Sequence, residues 1–200
     1  MATIIQLPKS TRNTGGAHRK KADEPVIRCI LLVRLTFAAL PFWRRLAVPG
    51  QYTLFNLHRI IQAVMGWDDS AAHQFMVGKI LYRTFAGRPL RLDESQYDER
   101  QARLQSLTER MRFIFQYFYE AGNSWECAIE LEETEELPPG AMPEPAALLA
   151  GQGQFADADA ADVYAWSAMA TLRPELAAPL AAAEIVAINE RLRLSPCSIC

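Results

Sequence analysis

Apolar and polar residues alternate along the first well-patterned stretch of the chain. From Val26 to Thr36 the odd positions Ile27, Cys29, Leu31, Val33 and Leu35 are all apolar, while the even ones mix Arg28 and Arg34 with Ile30 and Leu32. A period of two predicts a strand covered on one face and partly on the other. The same period returns twice. Phe113, Phe115, Tyr117 and Tyr119 alternate with Ile114, Gln116, Phe118 and Glu120, and Trp125, Cys127, Ile129 and Leu131 alternate with Glu126, Ala128, Glu130 and Glu132. Between them Glu120-Ala121-Gly122-Asn123-Ser124 has turn chemistry, so the two stretches read as a hairpin. One side of the last stretch is apolar and the other mostly acidic, the mark of an antiparallel sheet with one face on a core and one toward water. His73, Phe75 and Val77 alternate with Gln74, Met76 and Gly78. That predicts a further entry into the sheet, with a possible extension through Leu81 and Tyr82.

A different period lies between these stretches. Leu54, Leu57, Ile60, Ile61, Val64 and Met65 recur at three- and four-residue steps, which predicts a helix with one buried stripe. Pro49-Gly50 supplies a turn ahead of it, Thr53 is placed as its N-cap, and Gly66 can end it in the left-handed conformation with Trp67 folding back. Arg83 to Gln96 reads as a polar excursion and Tyr97 to Leu107 as a short helix-permissive segment. Beyond Glu133 the prolines 138, 139, 143 and 145 with Gly140, Gly151 and Gly153 predict a linker or irregular wrap. Two alanine-rich helices then follow, near Asp159 to Leu172 and Ala181 to Arg193, broken by Pro174 and Pro179. The expectation is an α+β fold: an antiparallel sheet of about four or five strands covered by helices, with a helical C-terminal extension. In domain terms, a basic tail expected to be disordered (1–24) precedes an α+β core (25–133), a Pro/Ala-rich linker with C-terminal helices packing on the core (134–196) and a short tail (197–200).

Composition narrows the function classes. With 50% hydrophobic and 22% charged residues, the 200-residue chain belongs with globular proteins. A formal net charge of −2 gives no global attraction to phosphate, so a nucleic-acid contact needs a local patch. No apolar run approaches the roughly 18 residues of a membrane helix and no signal-peptide pattern is seen, from which a cytoplasmic protein without membrane contact is expected. Four cysteines are too few for a disulfide scaffold, and Cys29 and Cys127 fall at inward strand positions. Lys9, Arg12, Arg19, Lys20 and Lys21 make the first residues basic, which reads as a solvated tail.

One stretch is more specific than the rest: Phe42-Trp43-Arg44-Arg45-Leu46, then Val48-Pro49-Gly50, then the helix closing at Met65-Gly66-Trp67, then His73 and Phe75. In wording, order and spacing it resembles the plasmid pRiA4b ORF-3-like family, over about residues 26 to 132. Gly122 and Trp125 match the family's later aromatic turn, and Ile129-Glu130-Leu131-Glu132 its last strand. Asn123 stands where relatives carry an aspartate and Cys127 where they carry a histidine, which removes a charge and an imidazole. The C-terminal third looks like a diverged version. The resemblance implies a plasmid or insertion-sequence passenger protein and no established reaction.

The candidate chemistry is sparse. Trp43-Arg44-Arg45 sets two forked cations beside an aromatic ring, able to hold phosphate, a base or a partner protein; its bland counterpart is an edge strand whose arginines pair with Glu126 or Glu130. His58 on the helix and His73 at a strand start, with Asp68 and Asp69 between, make a possible polar site, with His73 and Asp69 the favoured pair. Their spacing matches no recognised ligand pattern, so structural histidines bonded to backbone or solvent are the alternative. Cys197 and Cys200 form a terminal pair without two further zinc ligands, and Asp157, Asp159 and Asp162 lack the glycine and closing glutamate of a calcium loop. The reading is a non-catalytic binding or accessory module with no cofactor or metal, holding a protein or nucleic acid through Arg44 and Arg45. A metal-assisted hydrolase using His73 and Asp69 is the rival.

Overall fold

The structure, a computed structural model, describes residues 25–84, 96–108, 114–120, 125–138, 140–155 and 163–194. The basic N-terminal tail, the hairpin turn around Gly122, Phe113, the Asp157, Asp159 and Asp162 group and the Cys197 and Cys200 pair lie outside those residues.

The described chain runs β1 (Ile27–Leu35), β2 (Trp43–Pro49), α1 (Leu54–Met65), β3 (His73–Val77), β4 (Ile80–Arg83), β5 (Gln96–Asp98), α2 (Leu104–Leu107), β6 (Phe115–Tyr119), β7 (Trp125–Glu136), β8 (Ala147–Gln152), α3 (Val163–Leu172), a 3-10 turn (Pro174–Ala177) and α4 (Ala182–Leu194). The strands form one eight-stranded sheet in the order β5-β4-β3-β6-β7-β1-β2-β8. Every pairing is antiparallel except β4 with β5, which is parallel and makes the sheet mixed.

This corrects the expected antiparallel sheet of four or five strands. The additional strands carry no readable period. In β2 the inward position between Phe42 and Leu46 is an arginine, so the alternation looks polar. β4 is separated from β3 by a two-residue turn whose Gly78 has φ 63, and β5 is three residues long. The six residues of β8, Ala147–Gln152, sit in the segment whose prolines and glycines suggest a linker, and the adjacent leucines 148 and 149 break the alternation a strand would show. The helix-permissive stretch from Tyr97 splits into β5 and the four-residue α2.

The inner face is a set of apolar rows running across strands. Leu35, Cys127, Tyr117, Phe75 and Tyr82 are successive register partners in one such row, and all are buried. α1 lies over these rows with Leu54, Leu57, Ile60, Ile61, Val64 and Met65 buried. Each of those side chains contributes roughly 2 kcal/mol of transfer free energy. Local chemistry fixes the ends of α1. Thr53 Oγ1 accepts from the Asn56 amide at 3.3 Å while Asn56 Oδ1 accepts from the Thr53 amide at 2.9 Å, a reciprocal cap. Gly66 adopts φ 79, and its N–H donates to the Gln62 carbonyl. The outer face carries ion pairs, Arg34 of β1 with Glu130 of the adjacent β7 at 3.0 Å, and Arg45 of β2 with Glu132 of β7 across β1 at 2.6 Å.

Candidate functional site

α1 delivers two polar side chains to the sheet, His58 and Gln62, one turn apart on its buried stripe. Opposite them Tyr117 points inward from β6. Past Gly66 the chain turns through Asp69, whose φ of 57 is a left-handed conformation that aspartate tolerates better than most residues. These four residues close a ring of hydrogen bonds. The Asp69 backbone N–H donates to Gln62 Oε1 at 3.0 Å, Gln62 Nε2 donates to Tyr117 Oη at 2.9 Å, Tyr117 Oη meets His58 Nδ1 at 2.8 Å, and His58 Nε2 meets Asp69 Oδ1 at 2.7 Å.

A backbone N–H can only donate, and this sets the direction of the whole ring. Gln62 must present its carbonyl to Asp69 and its amide to Tyr117; the tyrosine proton goes to Nδ1, and Nε2–H donates to the Asp69 carboxylate. Burial, and then the field of His73, pull the His58 pKa down to about 4, against the opposing pull of Asp69. The imidazole is therefore neutral near pH 7, in the tautomer the ring requires. Burial pushes the Tyr117 hydroxyl well above the usual phenol range.

His73, at the start of β3, lies flat on His58, with ring centroids 3.4 Å apart and planes 4° from parallel. Its Nε2 stands 2.9 and 3.0 Å from the two carboxylate oxygens of Glu99. Glu99 follows β5 and is fully buried, and it also accepts from the Thr84 hydroxyl. One ligand atom from each of His58, Asp69 and His73 lies within 4.8 Å of the others. His58 is 1% exposed at its side chain, whereas Asp69 is 44% exposed and opens the group to solvent. Neighbouring Asp68 is held apart from this group by the Ser70 amide at 3.2 Å and the Tyr119 hydroxyl at 3.1 Å, which together lower its pKa.

The structure thus brings together the three polar residues singled out from the sequence, His58, Asp69 and His73. It adds Glu99, Gln62, Tyr117 and Thr84, which sequence reasoning missed. Gln62 carried a signal, a polar residue four positions after a histidine on an apolar stripe; Glu99, inside a polar stretch, carried none.

Trp43, Arg44 and Arg45 part company. Arg44 is 3% exposed and faces inward, opposite Val33. Its guanidinium donates to the carbonyls of Val64, Trp43, Gln152 and Gly153 at 2.8 to 2.9 Å, and it lies over the Phe42 ring. Burial pulls its pKa down to about 10. Arg45 faces outward onto Glu132, and Trp43 Nε1 donates to Gln152 Oε1 at 3.0 Å. The other motif residues sit in turns and packing. A Cβ on Gly50 would come 2.4 Å from Ile27, and Trp67 stacks on Tyr119 and meets Trp125 at a tilt of 42°. Cys127 is fully buried, and burial raises its thiol pKa.

Comparison with known proteins places this architecture. The sequence profile of the plasmid pRiA4b ORF-3-like proteins matches residues 28–179. The chain belongs to this family. The match extends beyond the stretch that carries the motifs, past residue 132 and through β8, α3 and the 3-10 turn. Within the pRiA4b ORF-3-like family, the chain is 31% identical over 96 residues to the uncharacterized protein y4hQ of Sinorhizobium fredii, covering 46% of this chain and 46% of that protein. The chain therefore spans about half the length of this curated relative. Its fold is similar to the crystal structure of MM3350 from Methanosarcina mazei Go1, a protein of unknown function, with a TM-score of 0.62, 24% identity and coverage of 76% of this chain and 84% of that one. Among the described residues no helix is long and apolar enough to cross a membrane.

Proposed function

We propose that this member of the pRiA4b ORF-3-like family is a binding protein whose ligand is a divalent first-row transition metal ion, taken up by His58, Asp69 and His73. The convergence of one ligand atom from each residue within 4.8 Å carries this reading. Metal ligation needs a neutral imidazole and an ionised carboxylate, and the environment of His58 keeps it neutral near pH 7. An ion held through His58 Nε2 and Asp69 Oδ1 would require the Nε2 proton to move to Nδ1 and the hydrogen bond with Tyr117 Oη to reverse, so loading would be coupled to proton movement. Two imidazoles and a carboxylate suit zinc, manganese, iron(II), cobalt or nickel better than magnesium or calcium, which prefer oxygen alone.

A second reading, metal-assisted hydrolysis with His73 and Asp69, draws support from the exposure of Asp69. Three protein ligands with one on the solvent side leave room for a bound water, the arrangement of catalytic rather than structural zinc sites. Elemental analysis of full-length protein purified without chelator tests the binding proposal. One equivalent of metal in the wild type, lost in His73→Ala and in His58→Ala, is the expected result; a metal-free protein that takes up none on dialysis against zinc or manganese overturns it.

A further inference from the structure

We propose that three arginines gathered about Phe55, namely Arg59, Arg100 and Arg103, hold the phosphate backbone of a nucleic acid. The inference goes beyond the metal-binding reading and does not depend on it, because none of the three belongs to the His58, Asp69 and His73 group.

Two neighbouring segments build the patch. Phe55 and Arg59 are both half-buried on α1, four residues apart, the step that brings side chains to one face of a helix. The segment between β5 and α2 is stitched to the start of that helix. The Leu54 N–H donates to the Ala102 carbonyl at 2.9 Å, the Leu104 N–H donates to the Tyr52 carbonyl at 2.8 Å, and Arg103 pairs with Thr53 in an isolated antiparallel bridge. From the same segment the Arg100 guanidinium lies over the Phe55 ring, 4.9 Å from its centroid. Arg100 and Arg103 are exposed.

The charges in this patch are not matched inside the protein. Arg28, Arg34, Arg45 and Arg173 each pair with a glutamate, and Arg44 is satisfied by carbonyls. Arg191 and Arg193 stand in the last turn of α4, where they complement the helix dipole. Among the described residues, the side chains of Arg59, Arg100 and Arg103 form no ion pair. Of the acids next to Arg100, Asp98 accepts from the Arg100 backbone N–H at 2.9 Å and Glu99 is buried against His73.

The arrangement suits phosphate. A guanidinium lying on an aromatic face keeps its N–H donors, which point outward in its own plane, and the ring restricts its motion, so less freedom is lost on binding. Arginines on separate anchors around a ring fit successive phosphates of a chain better than one small ion, which needs donors converging on a point. With a formal net charge of −2 the chain has no global pull on a polyanion, so a local patch has to supply it. Arg44 and Arg45 do not, since one is buried and the other is paired with Glu132. The Phe55 ring stands 6.3 Å from that of His58, so a bound strand runs beside the polar cluster.

The test is fluorescence anisotropy of a labelled oligonucleotide of about 20 residues, single-stranded and as a duplex, with full-length protein at low salt and a chelator present. The wild type is expected to bind at least one form. Replacing all three arginines by glutamine should weaken that binding by about 100-fold and lower the slope of log affinity against log salt by about 2 to 3. Arg45→Gln, on the opposite face of the sheet, should bind within about twofold of wild type. The basic residues before position 25 remain in every variant, so the differences report on the patch. A wild type that binds neither form overturns the inference, as does a triple variant with unchanged affinity and slope, or a loss in Arg45→Gln as large as in the triple variant. Should the triple variant not fold, Arg100→Gln with Arg103→Gln, both at exposed positions, carries the test with an expected loss of about 20-fold. The chelator keeps this outcome separate from that of the metal analysis.

Discussion

Asn189 of α4 holds both backbone groups of Leu148 on the outermost strand: its Oδ1 accepts from the Leu148 N–H at 2.7 Å and its Nδ2 donates to the Leu148 carbonyl at 3.0 Å. A side-chain amide here stands in for a neighbouring strand. Farther along β8 the work passes to the backbone, where the Leu180 N–H donates to the Gly151 carbonyl. An unprotected edge is a template for pairing with another chain.

Asn189→Ala therefore exposes one donor and one acceptor on β8. The expected loss is about 1 to 2 kcal/mol in urea unfolding, with self-association that rises with concentration in size-exclusion chromatography. Unchanged stability together with a concentration-independent monomer would show that the edge is protected by other groups.

Arg44 acts as an internal clamp. Its donors satisfy carbonyls from the end of α1 and from β2, β8 and the residue after β8, and Gly151, its register partner, has no side chain to obstruct the guanidinium. Arg44→Met keeps the apolar stem and strands those carbonyls inside the protein, at an expected cost of about 3 to 5 kcal/mol in chemical unfolding. Arg44→Lys recovers only part, because an ammonium lacks the planar fork. Arg45→Ala, on the solvent side, should leave the unfolding midpoint nearly where it was.

His58 makes stability depend on pH. Its folded pKa of about 4 lies below the ordinary imidazole value, so between about pH 6.5 and pH 4 the unfolded chain holds a proton that the native protein does not. Stability from this group is fully present above about pH 6.5 and is lost as the pH falls toward 4, by about 3 kcal/mol in all. Urea midpoints measured across that range with a chelator present should show the slope in wild type and its reduction in His58→Gln. Equal slopes in the two proteins would mean that other groups carry the acid sensitivity.

The parts of the fold that could be read in advance were those whose cause is local. β1, β6 and β7 announce themselves because alternate side chains meet different solvents, and α1 because its stripe, its Thr53 cap and its Gly66 stop are all short-range. β2 and β8 were hidden for opposite reasons. Arg44 puts a charge on the inward face where the pattern calls for an apolar residue, and β8 lies in a Pro/Gly-rich segment with a glycine, Gly151, opposite that arginine. At the site, residue type was informative and position was not. His58 and His73 stand on different elements, and their stacking depends on how α1 crosses β3 and β6. Glu99 reaches His73 because β5 pairs in parallel with β4, a register that three residues cannot encode by themselves.

The amino-acid sequence alone determined the strand and helix periods, the capped ends of α1 and the family, because each depends on neighbours within a few residues or on ordered wording along the chain. Only the tertiary structure decided that Arg44 turns inward to bind carbonyls, and that His58, Asp69, His73 and Glu99 form one cluster. Those outcomes follow from a strand order that is not the chain order, where the burial of one group depends on what a distant segment places across from it.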